Sequence, residues 1–138
     1  SAPAEEMLVP ASKAPESAPA AEKGEGVPVI HERLIEILGL DDAEIIKEAM
    51  AIFIDTALET TAALSKAYEN NDAHAAKGPA HSLKGSARMA GAVILGDLAA
   101  ELDAAAKLGN LLPDRLEACK AEVDRVVAYV RKTYLQES

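Results

Sequence analysis

An all-α fold is predicted for this 138-residue chain: an antiparallel four-helix bundle with a short additional N-terminal helix, preceded by a flexible Pro/Ala-rich linker. Three observations predict it. From residue 28 onward the apolar residues recur at the three- and four-residue spacing of helices. One phenylalanine, three tyrosines and no tryptophan leave the core to Leu, Ile, Val and Ala, a palette suited to closely approaching helices. The breaks between periodic stretches are short and carry Gly, Asn or Pro, which favours antiparallel neighbours.

Five of the seven prolines fall in the first 28 residues, among Ala, Ser, Glu and Lys, with no sustained apolar period. Such a stretch buries too little surface to offset its ordering entropy, so residues 1–27 are expected to be a linker and 28–138 the domain. A linker of this kind suggests a piece of a longer, multi-domain chain. Ile30, Leu34 and Leu38 mark the short first helix, with Gly39 as terminator. For the second, Asp41 is the expected cap, with Glu44 three residues on as in a capping box and Leu40 with Ile45 as a hydrophobic staple. Its stripe of Ile46, Ala49, Phe53, Ala57, Thr60, Leu64 and Ala67 carries it to about Asn70. Asn71 or Asp72 caps a third helix running to about Ala90, and Gly91 permits the turn. Leu95, Leu98 and Leu102 define the fourth before Gly109-Asn110, and Pro113 suits the first turn of the last. There Leu116, Cys119, Val123, Val126, Val127 and Val130 share one face, which assigns Cys119 to the core rather than to chemistry.

Several functions are disfavoured. A formal net charge of −9 argues against nucleic-acid or anionic-lipid partners, whose phosphates call for a Lys/Arg surplus. A single cysteine allows no internal disulfide, and neither a signal-type segment nor a run of about 20 apolar residues occurs, so a cytoplasmic, soluble and monomeric module is expected. Three histidines and one cysteine offer no metal-ligand spacing, His31 reads as a surface residue, and no serine or cysteine is paired with an evident base.

Two stretches read His-x-x-Lys-Gly: His74 to Gly78, and His81 to Gly85. At about 100° per residue, Ala76, Ala80, Leu83, Ala87 and Ala90 fall on one side of the third helix, facing the bundle. His81, Lys84, Gly85 and Arg88 gather on the adjoining, outward side. A neutral imidazole presents an unprotonated nitrogen able to attack phosphorus. A lysine one turn along supplies positive charge to phosphoryl oxygens. A mid-helix glycine costs about 0.5–1 kcal/mol relative to alanine, and its missing side chain lets another protein's active site close over the histidine. Each residue alone is unremarkable on a helix surface; together, opposite an alanine core, they point to a phosphoacceptor.

The run Ala80-His81-Ser82-Leu83-Lys84-Gly85-Ser86-Ala87-Arg88-Met89-Ala90-Gly91, followed by Leu95, Leu98, Leu102 and Asp103, resembles the signature of histidine-containing phosphotransfer (HPt) domains. The Ala87 to Gly91 portion is most similar to HPt domains of chemotaxis-type hybrid histidine kinases, notably those of type IV pilus chemosensory systems. The resemblance extends over residues 28 to 134. It implies a bundle that accepts a phosphoryl group on His81 and exchanges it with an aspartate of a response-regulator receiver domain. It further implies a histidine kinase catalytic domain as second partner, in the same polypeptide or a separate one, no ATP site and no intrinsic cofactor here, and Mg²⁺ on the receiver. Ser82 and Arg88 are its partner-binding candidates, although Arg88 also reads as a plain solvated residue. Where the family carries Glu or Gln to orient the imidazole, this chain has Asp103, one methylene shorter. Asp103 is then either an orienting group acting through water or a solvated carboxylate.

Set against that register, the leucine offsets counted from His74 land on Arg88 and Gly91, and Ala76 replaces the leucine two residues on. Pro79 is expected to bend or restart the third helix and leave His74 on a separate first turn, since proline lacks the N–H and clashes with the carbonyl of Ala75. His81 is the expected acceptor. The competing reading is an HPt-shaped docking module that binds a kinase or receiver without being phosphorylated.

Overall fold

The periodic stretches form five helices over residues 26–39 and 41–136, the residues described by the computed structural model. They are α1 (His31–Leu38), α2 (Ala43–Glu69), α3 (Ala73–Met89), α4 (Val93–Lys107) and α5 (Pro113–Thr133), with no strand among the described residues. The expected linker lies outside those residues apart from Gly26 and Val27.

Local chemistry sets the helix ends. Gly39 closes α1 in the left-handed region (φ 72°), its N–H donating to the Ile35 carbonyl. At the start of α2 the cap is Asp42 rather than the expected Asp41: its Oδ1 accepts from the amides of Glu44 and Ile45 at 3.0 and 3.2 Å. With Ala43 as first helical residue those are the second and third amides, within reach of residue 42, and Glu44 stands one position too early for a capping box. The expected staple partner Leu40 lies outside the described residues. Asp72 caps α3 by accepting from Ala75 N at 3.0 Å, while Asn71 takes the positive φ (53°) of the preceding turn. Pro113 occupies the first turn of α5, where its missing N–H costs nothing.

Pro79 neither ends nor restarts α3, contrary to expectation; helical geometry runs unbroken from Ala73 to Met89. The carbonyl that Pro79 deprives of a donor belongs to Ala75, an exposed residue that water can serve. Downstream, Ala80, Leu83 and Ala87 are fully buried and hold the proline-containing turn against the bundle. His74 and His81 therefore share one helix.

In the bundle α3 packs against α2 and α4, and α5 closes the ring by packing on α4 and α2. The core combines Met50, Phe53 and Leu64 of α2, Leu83 of α3, Leu95, Leu98 and Leu102 of α4, and the valines of α5. Burying each Leu or Phe contributes about 1.5–3 kcal/mol. Between α3 and α4 the approach is close because small residues meet there: a Cβ added to Gly96 would lie 3.8 Å from Ala87 Cβ and 3.0 Å from Arg88 Cγ. α1 rests on α3 and is pinned at Gly91, whose carbonyl accepts from Ile30 N at 2.9 Å. Gly91 has φ 78°, and a Cβ there would come within 2.8 Å of the Ile30 carbonyl oxygen.

Candidate functional site

His81, in the middle of α3, is anchored from beneath by the buried Ala80 and Leu83 on either side of it in sequence. Its own side chain is 68% exposed, with Nδ1 turned toward Asp103 Oδ2 at 3.7 Å and Nε2 left for the outside. That separation exceeds hydrogen-bond length, so Asp103 faces the imidazole without bonding it directly. Gly85, one turn along, has nothing within 4 Å of the place a Cβ would occupy. Ser82 and Arg88 are exposed on the same helix.

Asp103 is not the solvated carboxylate that was one of the two expectations. It is 2% exposed, set into the α3–α4 seam by its place on the apolar side of α4 among Leu98, Ala99 and Leu102. Lys84 Nζ donates to its Oδ2 at 2.8 Å, and Lys107 Nζ, one turn along α4, stands 3.1 Å from the same oxygen. Oδ1 is buried and has no hydrogen-bond partner among the described residues. Burial by itself raises the Asp103 carboxyl; hydrogen bonds and charge from the two lysines outweigh it and hold the group below the usual carboxylate range. Asp103 is therefore ionised at neutral pH.

Lys84 departs from the sequence expectation in its resting position. Its side chain is 22% exposed, and its ammonium is spent on Asp103 rather than offered outward. Arg88 reaches Asp97 of α4 at 4.0 Å, a pair exposed enough to contribute little to stability. Burial, opposed by Arg88, pushes the Asp97 carboxyl up. His74 is exposed two turns before His81 on the same helix.

Lys107 escaped the sequence reading, although the Asp103–Lys107 i,i+4 spacing was available as a signal. A second missed feature is Glu122 on α5, 2% exposed and paired to Arg125 Nη1 at 2.7 Å. Arg125 also donates to the Gly26 carbonyl, tying α5 to the chain ahead of α1. Cys119 is fully buried, and burial together with Glu122 pushes its thiol up to about 12, which removes it from consideration as a nucleophile.

His31 donates to or accepts from Tyr134 Oη at 2.8 Å, with the rings stacked at 5.8 Å. Among the described residues no group of three or more His, Cys, Asp or Glu is placed to hold a metal ion, and no helix is long and apolar enough to cross a membrane. An apolar groove lies where α1 and α2 meet the last turn of α3: Ile52 and Phe53 of α2, Met89 of α3 and Leu34 of α1 line it, with Ile52 and Met89 largely exposed.

The arrangement supplies a solvent-facing imidazole, an ionised carboxylate behind it, two ammonium groups and an unobstructed approach. Chemically it suits reversible attachment of an anionic group brought by another macromolecule. Residues 48–129, more than half of the chain, match the family model described as the Hpt domain. No curated protein and no solved structure matches.

Proposed function

The chain belongs to the Hpt domain family, and on that premise we propose that His81 is its phosphoacceptor, exchanging a phosphoryl group with an aspartate of a response-regulator receiver domain. Hpt domains are phosphotransfer modules of two-component phosphorelays, without an ATP site of their own, that interact with receiver domains and histidine kinases. One observation carries the choice of residue: His81 combines high exposure with a buried, ionised carboxylate at 3.7 Å behind its Nδ1.

The step follows from that geometry. The Nε2 lone pair of a neutral His81, protonated on Nδ1, attacks the phosphorus of the receiver's aspartyl phosphate. The N–P bond forms as the P–O bond breaks, and its electrons return to the receiver as a carboxylate. Positive charge grows on the ring as the lone pair is committed, and the Nδ1 proton faces Asp103 across a gap that one water or a small movement spans. Lys84 meets the negative charge spread over the phosphoryl oxygens. Transfer in the other direction retraces the same path. Mg²⁺ belongs to the receiver, where it offsets phosphate charge.

Gly85 and the exposed Ile52 and Met89 support a protein surface as the approaching partner: the glycine leaves room over the imidazole, and the apolar groove at the end of α3 offers further area to bury. Similarity over Ala87 to Gly91 and the Pro/Ala-rich N-terminal composition support a place in a larger chemotaxis-type hybrid kinase, working in the cytoplasm as a monomeric module.

The test is incubation with a phosphorylated receiver and Mg²⁺, followed by intact-mass analysis. Wild type and His74→Gln gain one phosphoryl group and His81→Gln gains none. Labelling of His81→Gln equal to wild type sinks the assignment, and receiver binding without label supports the docking-module reading instead.

A further inference from the structure

Asp103 holds two cations on one oxygen, more than its neutralisation needs. Lys84 at 2.8 Å and Lys107 at 3.1 Å both contact Oδ2, which is also the oxygen nearest His81 Nδ1, while Oδ1 has no partner among the described residues. The two lysines differ in position. Lys84 stands on α3, one turn from His81, with a half-buried side chain; Lys107 stands on α4, one turn from Asp103, with its side chain 57% exposed. A resting Lys84 cannot both neutralise Asp103 and stabilise an incoming phosphoryl group. Were it the sole counter-ion, its turn toward phosphate would strand an ionised carboxylate in the α3–α4 seam, an arrangement proteins avoid.

We propose that Lys107 is a positioning residue for phosphotransfer: it keeps Asp103 paired and in place behind His81 while Lys84 leaves to bind the phosphoryl oxygens. The inference rests on His81 being the phosphoacceptor. No bond to Lys107 forms or breaks; the N–P and P–O bonds exchange at His81 as already written, and the change is one of ion-pair partners. At rest the trio Asp103, Lys84 and Lys107 carries one net positive charge beside the imidazole. In the phosphorylated state Lys84 pairs with phosphate and Lys107 with Asp103, so each buried or developing anion keeps a cation. The i,i+4 spacing suits this role, because Lys107 reaches Asp103 from its own helix whatever happens on α3.

Lys107 and Lys84 are thus redundant at rest and distinct in transfer, and both halves are measurable. Lys107→Met keeps the aliphatic stem and removes the charge. We expect it to melt within about 3 °C of wild type, as does Lys84→Met, while the double variant loses roughly 15 °C because the buried carboxylate has no partner. Adding Asp103→Asn to the double variant restores most of that loss, which keeps the comparison usable should the double variant be poorly folded.

In transfer from a phosphorylated receiver, Lys107→Met slows the rate roughly tenfold, the equivalent of one charge-assisted hydrogen bond missing from the phosphorylated side. Lys107→Arg recovers it. Additive melting losses, a wild-type rate in Lys107→Met, or a loss that arginine does not recover each overturn the proposal. Label on wild type with Lys107→Met indifferent overturns it alone; wild type that takes no label overturns the phosphoacceptor reading and Lys107's role with it.

Discussion

Replacing Gly85 with glutamine separates folding from function by giving them opposite signs. Nothing lies within 4 Å of a Cβ at this position, and the residue sits inside a regular helix, so the new side chain meets no obstacle within the fold. Gly-to-Gln in a helix interior is worth roughly 0.5 kcal/mol of added stability, since glycine surrenders more backbone entropy on folding. For a domain of this size that is a rise of about 2 °C in Tm. The same side chain stands one turn from His81 on the exposed face and, on the proposed role of His81, occupies the volume through which a receiver would approach. Displacement of the reacting atoms by about 1 Å is enough for a roughly 100-fold loss of rate. Calorimetry or thermal circular dichroism reads the first quantity, and quenched-flow transfer from a phosphorylated receiver reads the second. Gly85→Ala should share the stability gain with far less loss of rate, grading the effect by size. A Gly85→Gln variant that transfers within twofold of wild type, or that melts several degrees lower, refutes the reasoning.

Two further outcomes follow from packing alone. Gly91→Ala forces a left-handed backbone on a residue with a Cβ and drives that atom against the Ile30 carbonyl, so we expect a loss of about 2 kcal/mol, a fall of roughly 5–10 °C in Tm, and faster amide exchange across α1; an unchanged melt contradicts this. Cys119, fully buried with its thiol pushed up to about 12, should resist maleimide at neutral pH in the native protein and react promptly in denaturant, as mass spectrometry would record.

The helices were legible because their apolar positions are spaced for them: most positions of the predicted faces of α2, α3 and α5 are buried, from Phe53 and Leu64 through Ala80 and Leu83 to Val130, while Ala49 and Thr60 of the α2 stripe are half-buried and Met50 and Ile54 join the core beside it. Boundaries depend on finer geometry. Asp41 and Asp42 are chemically identical as caps, and only the position of Ala43 as first helical residue selects between them. Pro79 reads as a breaker because its cost is local, whereas the burial of Ala80, Leu83 and Ala87 that overrides it is tertiary. At the site, His81 and Gly85 stood out because residue type and helix phase coincide. Burial of Asp103 did not, since charge type argues for solvent and only the seam between α3 and α4 encloses it. Nor did Lys107, an ordinary surface lysine until Asp103 is known to be buried. Glu122 and Arg125 stayed hidden for the same reason: a polar position on an otherwise apolar face of α5 gains meaning only once the chain before α1 is seen to cross it.

The close approach of α3 and α4 at Ala87 and Gly96 erases the usual division of labour among residues. His81 and Lys84 belong to one helix and Asp103 and Lys107 to the other, so the relative placement of all four groups is fixed by how near two small side chains allow the backbones to come. A single methyl group added at Gly96 would meet Ala87 Cβ at an ordinary 3.8 Å and press only on the Arg88 side chain, with Cγ at 3.0 Å; a bulkier group would have to part the two helices and so the two halves of the candidate site. Bulky substitutions at Ala87 or Gly96 should therefore cost stability and, on the proposed role of His81, transfer as well, so a genetic screen would place them between the site variants and the purely unstable ones.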